Sequence, residues 1–440
     1  MEKQSDIGKQ FYNYLWAYIL VALSGCLGNV VDGIIVGNLI SEDGVSAINL
    51  SKPINQFIFT LHLLINAGAG MLVAYALGRK DIQEARRFFT QALSLSVGLG
   101  ILLAIVGGVV FPSETARLLC SNDQILPLAR DYMQILLLGN PAFILMWGLS
   151  TMVGVDGKPK LVSLAVIIDN AANLFLDIVF IKWLGWGIAG SSAATVVGHL
   201  IGIAILLTHW RKNRRLVFSP SFSKDGWEGG SIVKQGAPLA IASISLTLLL
   251  LSANTIVLGT LGRTGIFAFA VCMNLLQVYN LFLSGTCQTL QSLGAIQVGQ
   301  GNVEGIRLVI RKAFRFITAA MIVTCLLVWI WPTGIVRLFG ATDAAFVSEG
   351  IHALRIFALS FMPFCYIYVL MIVYKLYHHH RMALFISFAL SLTVIPVLWV
   401  MSRTAPQWLW YSYLIAYLIE AALIWLLHKA NKVRFILPHS

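Results

Sequence analysis

The sequence predicts an all-α polytopic membrane protein with 12 transmembrane helices in two pseudo-symmetric six-helix lobes. Three observations carry that prediction: the composition, the length of the apolar runs and an internal repeat. Of 440 residues, 58% are hydrophobic and only 11% charged, with mean hydropathy +0.80; soluble domains carry about 25% charged residues. Runs such as 57–77 and 200–210 alternate with short polar breaks, and a spanning helix needs about 20 residues. The second half of the chain also repeats the first. Gly37 pairs with Gly259, Gly78 with Gly299, Arg86 with Arg307, Pro112-Arg117-Leu118 with Pro332-Arg337-Leu338, and Pro141 with Pro363. Anchors at almost one offset, several of them glycine or proline, mark a duplicated unit.

In chain order the predicted spans are 11–37, 53–77, 88–111, 124–152, 160–182, 187–210, 233–259, 265–298, 308–331, 344–376, 382–402 and 407–428. They are too long and too uniformly apolar for the alternating strands of a membrane barrel. The segment before Phe11 is polar and the run from Phe11 is of spanning length, so no cleavable signal peptide is read. Residues 1–210 form the predicted N-lobe (helices 1–6), 211–232 a basic cytoplasmic linker, and 233–440 the C-lobe (helices 7–12).

A net charge of +12 raises nucleic acid as a partner, but its distribution points elsewhere. With the N-terminus inside, 23 of the 31 Lys and Arg residues fall on cytoplasmic segments. That is the positive-inside pattern; it places both termini in the cytoplasm and the chain in the cytoplasmic membrane, with no nucleic-acid partner. The six cysteines are scattered, without a CxxC, and read as packing residues. No metal site is expected; His378, His379 and His380 read as a polar loop.

An ionisable group inside the bilayer costs several kcal/mol and needs a partner or a task. Asp32 lies deep in helix 1, Asp169 and Asp177 in helix 5, and Glu420 in helix 12. On the repeat register Asp32 falls on Asn254, so the acid is one-sided. Asp169, Asn173 and Asp177 follow one another at i, i+4 and i+8 and share one helical face. Helix 6 offers GIAGSSAATVVG (187–198), small residues for close approach with Thr195 as an oxygen ligand. Carboxylates with amide and hydroxyl oxygens suit H⁺ or Na⁺, whereas structural pairing alone is the bland alternative. Glu420 reads as a packing acid. Glycines in helices 1 and 2 permit bending or close packing. Trp16, Tyr18, Tyr75, Trp147, Tyr279 and Tyr366 are candidates to line a cavity for flat cations, with core packing the simpler account.

The pattern resembles the multidrug and toxic compound extrusion (MATE) family over essentially the whole chain. The resemblance rests on VVDGIIVGNL (30–39), GAGMLVAYALGRKDIQEARR (68–87), NLFLDIVFIKWLGWGIAGSSAAT (173–195), QGAPLAI (235–241) and QVGQGNVEGIR (297–307). It implies two lobes forming a V around a central cavity, alternating access, and antiport of an organic substrate against H⁺ or Na⁺. It maps the family's N-lobe cation site onto Asp32, Asn173, Asp177 and Thr195, with Asp169 as an additional candidate. Two features depart from the family. Helix 7 and the middle of helix 10 carry no acid, which puts C-lobe coupling in doubt, and helix 1 has no proline between Phe11 and Gly37.

The expectation is a monomeric antiporter in the lipid bilayer that exports small amphipathic, cationic organic compounds without a cofactor. The alternatives are a flippase for a lipid-linked precursor and an exporter of a dedicated metabolite. An enzyme is not expected, since neither HExxH nor GxSxG occurs.

Overall fold

The computed structural model describes residues 2–40, 42–120, 125–212, 215–218, 227–339 and 343–430. Twelve helical passes follow one another. α1 is Glu2–Leu39. α2 runs Glu42–His62, through a π-helical turn at Leu63–Ala67, to Gly68–Gly78. α3 is Ile82–Leu103 with a π-helical end at Ala104–Val110. α4 has two parts, Leu126–Leu138 and Asn140–Val155. α5 is Pro159–Ile178 with a π-helical end at Val179–Trp183, and α6 is Gly187–Leu207. α7 and α8 form one stretch, Gly229–Thr289, that breaks at Gly262 and continues to Gly299. α9 is Val303–Ile330, α10 Ala344–Leu376, α11 His380–Leu392 with Val394–Thr404, and α12 Tyr411–Ala430. Ten described helices are long and apolar enough to cross a membrane, and the bent α4 pair makes eleven. Counting the stretch broken at Gly262 as two passes brings the number to the expected twelve. Gly262 adopts φ 62°, a left-handed conformation that is inexpensive only for glycine.

Two expectations about helix ends and bends need correction. The apolar run 124–152 predicts one helix, but α4 bends by 50° at Gly139. Pro141 sits at the start of the second part, where its missing N–H costs nothing. Its repeat partner Pro363 lies inside the unbroken α10. The helices also extend beyond the apolar runs, because polar residues outside the hydrocarbon are good helix formers and caps. Asp81 accepts from Glu84 N at 2.9 Å, and its repeat counterpart Asn302 accepts from Gly305 N at 3.0 Å. The residue before each cap is left-handed, Lys80 at φ 65° and Gly301 at φ 66°. The repeat thus extends to the φ angles of a turn. α1 is unbroken, and its Gly28 serves close packing, since a Cβ there would lie 3.0 Å from Asn170 Oδ1.

The chain divides into two compact units, Tyr12–Ala237 and Met1–Phe11 with Pro238–Ser440. The predicted linker 211–232 falls partly outside the described residues. Its described ends are tied to α3: Arg86 Nε donates to Arg215 O at 2.8 Å, Arg87 pairs with Glu228, and Glu228 N donates to Gln91 Oε1 at 3.0 Å. The first unit also takes the opening turns of α7, which cross α2 backbone to backbone. A Cβ on Gly236 would lie 1.9 Å from Leu64 O, and one on Gly68 would lie 2.4 Å from Ile232 O. Ile105, Val109, Phe175, Leu251, Leu327 and Trp425 stand exposed, an outer surface suited to lipid. Tyr18, Tyr75 and Tyr279 are buried in the core, and Trp16 is exposed.

The α2–α7 crossing has no room for a side chain. Gly236→Val is expected to cost about 1–3 kcal/mol or more by overpacking. Gly259→Ala, with nothing within 4 Å of its Cβ, is expected to be silent. Thermal unfolding of the two variants in detergent checks this.

Candidate functional site

Helices α5 and α6 run antiparallel and meet through a polar ladder. Each step of one turn forward along α6 is matched by one turn back along α5: Asp177 opposite Ser191, Asn173 opposite Thr195, and Asp169 opposite His199. Asn173 Nδ2 donates to Thr195 Oγ1 at 3.1 Å. His199 Nδ1 lies 2.8 Å from Asp169 Oδ2. The Ser191 hydroxyl neighbours the Asp177 carboxyl and donates to Asp32 Oδ1 at 3.4 Å. Spacing by fours keeps the three positions of each helix on one face.

Small residues make the contact close. Gly190, Ala194, Gly198 and Gly202 recur at every fourth position on α6, the small-xxx-small pattern of tight membrane helix pairs. A Cβ on Gly198 would lie 2.8 Å from Asp169 Oδ1 and 3.2 Å from Asn173 Cβ, and one on Gly190 would lie 3.1 Å from Phe180 C.

α1 runs parallel to α5 on another side. Asn170 Nδ2 donates to Ser24 Oγ at 3.0 Å, and two turns further on Asp32 and Asp177 are neighbours. The four residues proposed from sequence therefore converge on one place formed by α1, α5 and α6. Asp177 is fully buried, and neither of its oxygens makes a hydrogen bond. A buried carboxylate without donors is costly. Asp169 lies on the same face but is held by His199.

Ser191 and His199 escape the sequence reading as site residues. The available signal is their spacing: Ser191, Thr195 and His199 form a stripe at i, i+4 and i+8 that faces the Asp169-Asn173-Asp177 stripe. A second buried polar group escapes it too. Asn66, in the π-helical turn of α2, accepts from Ser96 Oγ at 2.9 Å and lies 3.2 Å from His62 Nδ1.

The C-terminal unit differs at the equivalent positions. The first residues of α5 and α11, Pro159 and His380, stand at the same offset as Gly78 and Gly299. On that offset Leu390, Val394 and Leu398 replace Asp169, Asn173 and Asp177. All three are buried. Asn254, opposite Asp32 in the repeat, is exposed. Glu420 on α12 is fully buried and its oxygens make no hydrogen bond, so it stands apart from any such ladder.

Twelve passes, a duplicated unit and carboxylates buried between helices of one lobe define a multi-pass membrane transporter. The MatE family model matches residues 18–179 and 238–400, one match in each half of the repeat. The chain belongs to this family of multidrug and toxic compound efflux transporters. It is 24% identical over 365 residues to the probable multidrug resistance protein YpnP of Bacillus subtilis, covering 80% of each chain. It is 23% identical over 192 residues to YoeA of the same organism, also described as a probable multidrug resistance protein, covering 43% of this chain and 41% of that one. The fold matches that of a mutant of the Vibrio cholerae MATE transporter VcmN, with TM-score 0.90 at 16% identity over 99% of this chain and 100% of the other.

The Asn173–Thr195 rung predicts a measurable loss. Thr195→Val leaves the Asn173 amide without its acceptor and is expected to cost about 1–3 kcal/mol, whereas Thr195→Ser keeps the oxygen and most of the stability. Thermal unfolding in detergent distinguishes the two.

Proposed function

We propose that this chain is a secondary antiporter of the cytoplasmic membrane, acting as a monomer with both termini in the cytoplasm. It exports small amphipathic organic cations in exchange for H⁺ or Na⁺. Asp32 and Asp177 bind the coupling ion, with Asn173 and Thr195 as neutral oxygen and amide partners. The observation that carries this reading is the meeting of Asp32 and Asp177 inside the lobe, with both Asp177 oxygens buried and lacking donors.

The chemistry follows from that burial. Two neighbouring carboxylates inside a membrane repel each other and lack water, so binding one cation relieves both costs. Occupancy also decides whether α1 is drawn to α5 and α6 or pushed from them, because Asp32 stands on α1 and Asp177 on α5. A cation entering down its gradient thus repacks the helices of the N-lobe, and that repacking is the step coupled to substrate release. The energy suffices: one charge crossing 100 mV supplies about 2.3 kcal/mol, and a pH gradient adds to it. The amphipathic character of the substrate is supported by the description of the relatives as probable multidrug resistance proteins.

Efflux of ethidium from vesicles under an imposed pH or Na⁺ gradient tests the reading. Gradient-driven efflux is expected in the wild type and should fall at least about tenfold in Asp32→Asn, corresponding to about 1.4 kcal/mol. Full gradient-driven efflux in Asp32→Asn would falsify the assignment. No efflux from folded wild-type protein with either gradient would reject lipophilic cations and bring lipid-linked substrates forward.

A further inference from the structure

The third rung of the α5–α6 ladder has no role in the coupling site as proposed, yet it is built as a site of its own. His199 Nδ1 is 2.8 Å from Asp169 Oδ2, with side chains 12% and 7% exposed. The other ring nitrogen, Nε2, is buried and makes no hydrogen bond. The α6 backbone is pressed against Asp169: a Cβ on Gly198 would lie 2.8 Å from Asp169 Oδ1 and 2.9 Å from its carbonyl oxygen. The Phe143 ring closes the other side, edge to face with His199 at 4.4 Å.

These contacts restrict the protonation chemistry. While Asp169 is ionised it can only accept, so Nδ1 carries the hydrogen and Nε2 presents its lone pair to a dry interior. A buried acceptor without a donor is unfavourable. A proton from water that binds Nε2 fills that lone pair and turns a site of charge −1 into a neutral imidazolium–carboxylate pair. Only the N–H bond at Nε2 is formed, and no other bond is broken in the protein.

The surrounding charges leave this pair isolated at its level. α6 carries no other ionisable residue. α5 and its π-helical end offer Lys160, Asp177 and Lys182, each two or more turns away. α1, which meets α5 at Asn170, carries Cys26 near that contact and Asp32 two turns beyond it. The second part of α4 has no ionisable group, and its first part has Arg130, Asp131 and Tyr132 beyond the bend. The pair His209–Asp156, 2.7 Å apart, lies past the end of α6.

We propose that Asp169 and His199 form a second proton-binding site in the N-lobe, in series with Asp32 and Asp177. The inference rests on the proton-coupled form of the function proposed above. Asp169 lies two helical turns from Asp177, about 12 Å along the axis at about 1.5 Å per residue, and the Asn173–Thr195 rung lies midway. A proton at His199 tightens the rung that pins α5 to α6, so the lobe responds to two protonation events at separate depths.

The test uses the full chain in liposomes with ¹⁵N-labelled histidine, followed by solid-state NMR between pH 5 and 9. The His199 signal is identified by its loss in His199→Gln. The Nε2 signal is expected to report a bound proton in the wild type, and its response to pH is expected to change in Asp169→Asn. A ring that stays neutral throughout, or one that titrates identically with and without the Asp169 carboxylate, overturns the proposal. In ethidium-loaded vesicles, His199→Gln keeps a hydrogen-bonding side chain beside Asp169 but cannot bind the proton. Its efflux is expected to lose part of the wild-type pH dependence, and a superimposable pH profile counts against the site. If His199→Gln does not fold, the NMR comparison of wild type with Asp169→Asn still decides, because the resonance whose pH response changes when the carboxylate is removed is the predicted one. Asp32→Asn is run in parallel. Unchanged efflux there sinks the coupling assignment and leaves the His199 result to stand or fall separately.

Discussion

A carboxylate in a hydrocarbon interior loses the water that stabilises its charge, and nothing in the lipid replaces it. That cost organises the N-terminal unit. Three acids lie between helices there: Ser191 donates to Asp32 and His199 lies against Asp169, while Asp177 is buried with no donor to its oxygens. The helices that carry them must approach closely enough for short side chains to touch. The stripe Gly190-Ala194-Gly198-Gly202 makes that approach possible, because at Gly198 even a methyl group would collide with Asp169. Packing and charge are therefore one problem in this lobe. The small residues exist where the polar rungs need them, and the rungs replace the solvent that the packing excludes.

The duplicated architecture isolates what is specific to one half. The turn before the third pass is reproduced in detail before the ninth, from the left-handed residue to the side-chain cap. Turns and caps set helix geometry, and both halves need the same geometry. The interior of the fifth pass does not follow the same rule. Where α5 carries Asp169, Asn173 and Asp177, the register gives Leu390, Val394 and Leu398, all buried. Leucine and valine at these positions remove the carboxylates and the amide, and α11 is interrupted at Thr393 where α5 is continuous. Divergence of this kind leaves the polar stripe one-sided.

The equivalent prolines show how context sets a backbone outcome. Pro141 follows Gly139 and Asn140, and the helix bends there by 50°. Pro363 follows bulky apolar residues, and α10 runs through it. A proline removes one hydrogen bond at either position. At the first, the preceding glycine adds little side-chain packing to hold the helix straight, and the chain restarts as a new helix. At the second, buried aromatic neighbours such as Phe357, Phe361 and Phe364 hold the axis.

Much of this was legible in the sequence. Composition and run length determined a helical membrane protein, since only helices or closed barrels satisfy the backbone in lipid. The near-constant offset between matched glycines, prolines and arginines determined two similar halves. Periodicity placed Asp169, Asn173 and Asp177 on one face, because helical spacing is a local property of the chain. Only the tertiary structure decided which partner each acid meets. It brought Asp32 from α1 beside Asp177, turned Asp169 toward His199, and set the bend in α4. The reason is physical: facing residues such as Asp169 and His199 are related by the register between two helices. That register is settled by where glycines let backbones touch, a cooperative packing outcome that no local stretch of sequence contains.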